Sequence, residues 1–173
     1  MVTPTINSHL EYQHLDLRKV AEETEKLIHT HQDQTAPPFW KLDTAQHYRI
    51  PVPHGSIRVI HIKPTHPISK RPVVFVPGWG GIPEEYQEVY EMLHGRIEWY
   101  YIETREKQSA HIKRRGSNFT MSRKAADIAL VLEQLGLNTQ DFVLFGGCWG
   151  AAMILQGVLD EILTAPTLVT FDP

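Results

Sequence analysis

Cysteine is almost missing from this sequence: Cys148 is the single one among 173 residues. An intramolecular disulfide is therefore excluded, and the chain suits a reducing, cytoplasmic compartment. A surplus of either charge is missing too. Lys and Arg number 17 against 20 Asp and Glu, a formal charge of −3, so no basic field points to nucleic acid or an anionic membrane. No apolar run approaches the ~20 residues of a membrane span. The N-terminus lacks the basic stretch and apolar core of a secretory signal, and no repeat or low-complexity tract is visible. Neither G-x-G-x-x-G nor a Walker Lys-Ser/Thr is present, so no nucleotide cofactor is expected. The histidines lack metal-ligand spacing, and His29 and His31 would not share a helix face, so no metal is expected. What remains is ordinary for a globular domain: 42% hydrophobic and 21% charged residues. A chain of this length reads as one domain able to bury roughly 70% of its unfolded surface.

From about Leu10 to His31 the pattern is helical, with Leu17, Val20, Ala21, Thr24, Leu27 and Ile28 on one apolar stripe. Pro37-Pro38 cannot continue a helix. Residues 1–45 therefore read as an N-terminal helix and linker, ahead of a second unit over 46–173. In that unit Tyr48, Ile50 and Val52 alternate with polar neighbours, and Ile57 to Lys63 follows a Pro53-His54-Gly55-Ser56 turn. This is a hairpin signature. Val73-Val74-Phe75-Val76 is a continuous apolar run, as in a strand covered on both faces. Pro83 then opens a helix carrying Tyr86, Val89, Tyr90 and Leu93 on its buried stripe, with Gly95 as its C-terminal cap. Ile97–Glu103 is the next strand, and Thr104–Phe119 a loop. Thr120 caps a helix whose face holds Ala125, Ile128, Ala129, Leu132 and Leu135, and which Gly136 ends. Asp141-Phe142-Val143-Leu144-Phe145 and Thr167–Phe171 are the last two strands, with a helix to about Leu163 between them. Strands alternating with helices imply parallel crossovers and an α/β sheet.

Between the fifth strand and its helix stands Gly146-Gly147-Cys148-Trp149-Gly150. A sharp strand-to-helix turn lifts one side chain clear of a sheet edge and leaves no room for side chains two residues to either side. Gly146 and Gly150 fill those two places. The stretch resembles the G-x-S-x-G nucleophile elbow of the α/β-hydrolase fold, with Cys148 where that family usually has Ser. Cysteine there is similar to the dienelactone hydrolases and the poly(hydroxyalkanoate) synthases. The resemblance covers about residues 46–173 and implies an α/β fold: a mostly parallel α/β-hydrolase-like sheet with an N-terminal β-hairpin and helices on both faces. It reaches the sixth of the family's eight strands, the N-terminal two-thirds of the fold, so the chain is expected to be truncated after the sixth strand.

On this resemblance Cys148 is the nucleophile, beside a helix N-terminus that favours thiolate. The oxyanion-hole donors are backbone N–H groups of Trp149 and of Trp79 or its neighbours in Gly78-Trp79-Gly80-Gly81. Two pre-aimed donors stabilise the charge that grows on a carbonyl oxygen during attack. The Trp79 and Trp149 rings wall an apolar acyl pocket or plug a gap in the core. Asp172, after the last strand, is the candidate triad acid. The general base is missing. All ten histidines precede Cys148, whereas the family's catalytic His follows the last strand. His111 lies on the expected edge with nothing to orient it. Arg105, Lys107, Lys113, Arg114 and Arg115 read as a solvated basic loop, with anion recognition as the minority alternative.

The resulting expectation is acyl hydrolysis or transfer through a thioester on Cys148, with a small-molecule ester, lactone or thioester as substrate. A non-catalytic or incomplete domain, and a poly(hydroxyalkanoate)-synthase-like acyltransferase, are the alternatives. Alone, the chain is expected to be inactive for want of a base, and to self-associate or to need a missing C-terminal segment.

Overall fold

A computed structural model places the apolar runs Val73–Val76 and Val143–Phe145 side by side as neighbouring parallel strands. The structure describes residues 38–93, 96–113, 115 and 117–171. The helix expected over Leu10–His31, the Gly95 cap, and Asp172 lie outside the described residues.

The hairpin forms as expected. Strand β1 (Ala45–Val52) pairs antiparallel with β2 (Gly55–Ile62), Val52 facing Gly55 across the turn. His54 takes φ 70° in that turn, a backbone region His tolerates better than branched residues do. β1 buries alternate residues near its end, Ile50 and Val52, as a half-covered strand should.

The sheet continues through β3 (Val73–Val76), β4 (Trp99–Glu103), β6 (Val143–Gly147) and β7 (Thr167–Phe171). β3 lies parallel to both β4 and β6, and β7 is parallel to β6. β4 is antiparallel to β2. A two-residue strand, β5 (His111–Ile112), also pairs with β2, inside the segment read from sequence as loop. Two residues carry too little periodicity to announce a strand. Among the described residues the sheet thus has seven strands in the order β1-β2-β4-β3-β6-β7, with β5 off that path on β2.

Helices cover both faces. A 3-10 turn over Pro83–Tyr86 leads into α1 (Gln87–Leu93), so the helix after Pro83 starts tighter than an α-helix. α2 (Met121–Gln134) begins where Thr120 accepts a hydrogen bond from the Arg123 N–H at 3.3 Å. Gly136 follows it at φ 67°, the left-handed conformation that glycine adopts at no steric cost. α3 (Trp149–Leu159) follows β6 and ends a turn earlier than the sequence suggests.

On one face Val74, Val76 and Leu144 pack with Ile128, Val131 and Leu132 of α2 and with Met153 and Ile154 of α3. On the other, Phe75, Trp99 and Tyr101 pack with Phe39 and Tyr90. Consecutive residues of β3 therefore serve opposite layers, which is why its run is continuously apolar. Fully burying one such side chain contributes about 1.5–3 kcal/mol. The compact unit that holds the sheet begins at Pro38. Phe39 is fully buried, its ring centroid 5.0 Å from that of Tyr90 and 5.7 Å from that of Tyr101. Residues 38–45 thus pack with the sheet.

Candidate active site

The carboxyl ends of β3, β4 and β6 share one edge of the sheet, and open α/β sheets bind ligands outside that edge. Cys148 lies there, between the end of β6 and the start of α3. Its backbone takes φ 49°, ψ −123°. For a residue with a Cβ this is sparsely populated and costs of order 1–3 kcal/mol, so the surroundings must enforce it.

They do so by close packing. A Cβ on Gly150 would fall 2.0 Å from the Val76 carbonyl oxygen, and one on Gly146 2.7 Å from Ile154 Cδ1. These are the two places that a sharp strand-to-helix turn reserves for glycine. Gly147 is equally constrained, since a Cβ there would meet the Phe171 ring at 2.3 Å. Two backbone bonds complete the turn: Cys148 N–H donates to the Phe171 carbonyl at 3.0 Å, and Ala152 N–H donates to the Cys148 carbonyl at 3.2 Å. Cys148 itself is exposed. The Trp149 N–H, first in α3, has no intrahelical acceptor.

The loop after β3 abuts the cysteine. A Cβ on Gly78 would lie 3.3 Å from Cys148 Cβ and 3.7 Å from its Sγ. Gly81 N–H closes a turn onto the Gly78 carbonyl at 3.1 Å. Gly78 N–H donates to the Tyr86 hydroxyl at 3.4 Å, and burial pushes the Tyr86 phenol pKa up, the Gly78 bond opposing. Trp79 and Trp149 are 63% and 50% exposed. Neither ring plugs the core, and Phe171, also exposed, sets its ring against Gly147 and Phe145.

In the basic loop Lys113 and Arg115 are exposed as the sequence reading expects, Arg114 lies outside the described residues, and Arg105 and Lys107 depart from it. Arg105 is buried, not solvated. Its guanidinium pairs with both Asp127 oxygens, at 2.6 and 2.8 Å, and donates to the Asn118 carbonyl at 2.6 Å. Lys107 Nζ donates to three carbonyls of the loop beside Cys148: Gly78 at 2.5 Å, Trp79 at 3.1 Å and Gly81 at 2.7 Å. Burial lowers the Lys107 pKa; Glu106, Glu103 and Glu85 oppose the shift. Neither residue is available for a substrate anion. An isolated Lys or Arg in a polar stretch gives no local sign of such distant partners.

Among the described residues no histidine hydrogen-bonds Cys148. β5 pairs with β2 on the side opposite β1, in line with β4. His111 therefore stands about two strand spacings from β6, ~10 Å, and it is exposed. Asp172 lies outside the described residues. A cavity of about 350 Å³ is lined in part by Trp40, Arg58, Gly81, Glu84, Glu103 and Lys107, and Cys148 does not line it. The described residues hold no group of three or more His, Cys, Asp or Glu placed to bind a metal. None of their helices is long and apolar enough to cross a membrane.

No family model and no curated protein sequence matches the chain. Solved structures do. An α/β hydrolase from Novosphingobium aromaticivorans superposes with a TM-score of 0.61 at 15% identity, over 75% of this chain and 44% of its own. An epoxide hydrolase from Vigna radiata gives 0.61 at 16% identity, over 75% of this chain and 38% of its own. The N-formylmaleamic acid deformylase from Pseudomonas putida gives 0.58 at 14% identity, over 72% of this chain and 46% of its own. The match spans less than half the length of each of these structures.

Proposed function

On a chain with the α/β-hydrolase fold, we propose that Cys148 is the nucleophile of an acyl-transfer reaction. The carrying observation is the strained, exposed Cys148 at the strand-to-helix turn, pressed against Gly78. Strain of this kind persists only where neighbours enforce it, and it collects at active sites.

In the proposed step the thiolate attacks the carbonyl carbon of an ester, lactone or thioester. A C–S bond forms, the thiol proton having gone to solvent, and charge grows on the carbonyl oxygen. The N–H groups of Trp149 and Trp79 are the donors proposed for that oxygen. The tetrahedral intermediate then collapses, the bond to the leaving group breaks with its electron pair, and a thioester remains on Cys148. A cysteine thiol depends less on an adjacent base than a serine hydroxyl does, which suits a site where, among the described residues, no histidine hydrogen-bonds the sulfur. Water or an acceptor must next release the acyl group. Asp172 is the proposed acid of a triad for that half-reaction. Exposed Trp79, Trp149 and Phe171 support an apolar acyl group.

The epoxide hydrolase and deformylase among the neighbours are named for different bonds, so fold likeness does not choose the substrate. Cysteine beside two candidate N–H donors favours a carbonyl over an epoxide.

The test is a single turnover with p-nitrophenyl acetate. The reading expects one equivalent of p-nitrophenolate and an acetyl mass on the Cys148 peptide, both lost in Cys148→Ala. Equal release by Cys148→Ala would reject it.

A further inference from the structure

Resting on that reading, we propose that Lys107 is a positioning residue for acyl transfer: its ammonium holds the 77–81 loop in the shape that offers the Trp79 N–H to the carbonyl attacked by Cys148.

An ammonium carries three donors and no acceptor. Here all three are matched, to the carbonyls of Gly78, Trp79 and Gly81. Those carbonyls converge on one point, an arrangement that is repulsive without a cation at its centre. Bonds to a charged donor are roughly twice as strong as neutral ones. Pro77-Gly78-Trp79-Gly80-Gly81 is rich in glycine and has unusual freedom to lose on ordering. An external clamp is one way to fix it.

The clamp also fixes direction. In a trans peptide the C=O and the following N–H point to opposite sides. With the Gly78 carbonyl turned to Lys107, the Trp79 N–H is turned away from it. Gly78 meanwhile touches Cys148 from the loop. A flip of the 78–79 peptide would replace a donor by a carbonyl oxygen, the wrong pole for an oxyanion.

Lys107 is itself held. Its N–H closes a turn onto the Thr104 carbonyl at 3.0 Å. Within that turn Arg105 is locked to Asp127 of α2 by its buried bidentate pair. The path from α2 through Arg105 and Lys107 to the loop is continuous. Burial weighs most on Lys107 and disfavours the ammonium; Glu106, Glu103 and Glu85 offset part of that, and Lys124 adds to it.

Two reactions of one sulfur separate this role from a general structural one. Acylation by p-nitrophenyl acetate builds an oxyanion; alkylation by iodoacetamide displaces iodide at a saturated carbon and builds none at that centre. Both rates are measured on the full chain, with a thermal melt. Lys107→Met keeps most of the stem and loses every donor. The expected result is an acylation rate ~10–100-fold lower, reaching the low end of the ~10²–10³ that one oxyanion donor supplies, with alkylation changed less than about threefold. Lys107→Arg keeps the charge, but its planar fork does not match three converging carbonyls. It should lower the acylation-to-alkylation ratio by about threefold or more, and it decides the matter if Lys107→Met does not fold. An unchanged ratio in the folded variants, including a parallel fall of both rates, overturns the role of Lys107. Failure of the native protein to be acylated at all, with alkylation intact, overturns the reading beneath it.

Discussion

Gly78 lies against Cys148: a methyl group on Gly78 would come within 3.3 Å of the Cys148 Cβ and 3.7 Å of its Sγ. Residues seventy positions apart by number thus meet because β3 and β6 are neighbours and both end at the same edge. The loop after one strand and the elbow after the other form one surface.

Gly78→Ala tests that contact. The added methyl group forces the loop or the Cys148 Cβ to give by a few tenths of an ångström. Gly78 has no positive φ in its way, so the fold should tolerate the change within ~1 kcal/mol. Small misplacements of reacting groups cost far more in rate than in stability. Acylation of Cys148 by p-nitrophenyl acetate should slow by about tenfold or more, with the urea midpoint nearly unmoved. Full-speed acylation would show that the loop takes no part.

Arg105 and Asp127 are almost wholly buried, and Arg123 also reaches Asp127 at 3.0 Å. Removing one member of a buried pair leaves an uncompensated charge and costs about 3–5 kcal/mol. Asp127→Ala should therefore destabilise on that scale in urea. Arg105→Met with Asp127→Leu should cost less than Asp127→Ala alone. A double variant at least as unstable as the single one would mean that the pair is a net source of stability.

His61 gives the fold a pH dependence. It is buried in β2, stacked on Tyr100 at 4.0 Å between ring centroids, and Nε2 donates to Glu98 at 2.7 Å. Gln46 and Tyr48 of β1 face it from the other side. Burial lowers its pKa below the ordinary 6.5, outweighing Glu98, which raises it; Lys63 adds to the lowering. The unfolded chain then takes up the proton first as pH falls. Stability drops from about pH 6.5 downward, until the folded-state pKa is also passed. Urea midpoints at pH 7.5 and 5.5 should differ by more in the native protein than in His61→Gln. Equal differences would remove His61 from the account.

Much of the fold was legible in the sequence because its signals are local. Val73–Val76 announces a doubly covered strand, and Thr120 and Gly136 mark the ends of α2. The Gly146 and Gly150 frame around Cys148 was legible for the same reason: a tight turn imposes its needs on adjacent residues. Lys107 was not, because its partners lie 26 to 29 positions away and leave no trace in its neighbourhood. Arg105 failed likewise, its acid sitting 22 positions along. β5 is too short to show periodicity. The rings of Trp79 and Trp149 were undecided between pocket wall and core, and only their exposure separates the two.

The central claim is that the elbow presents the Cys148 sulfur for attack in the folded state. The direct measurement is the rate of Cys148 alkylation by iodoacetamide in native buffer, set against the rate in urea above the unfolding midpoint. The account predicts native labelling at a rate equal to or above that of the unfolded chain, complete at one label per molecule. A native sulfur that stays unlabelled until the chain unfolds would contradict it.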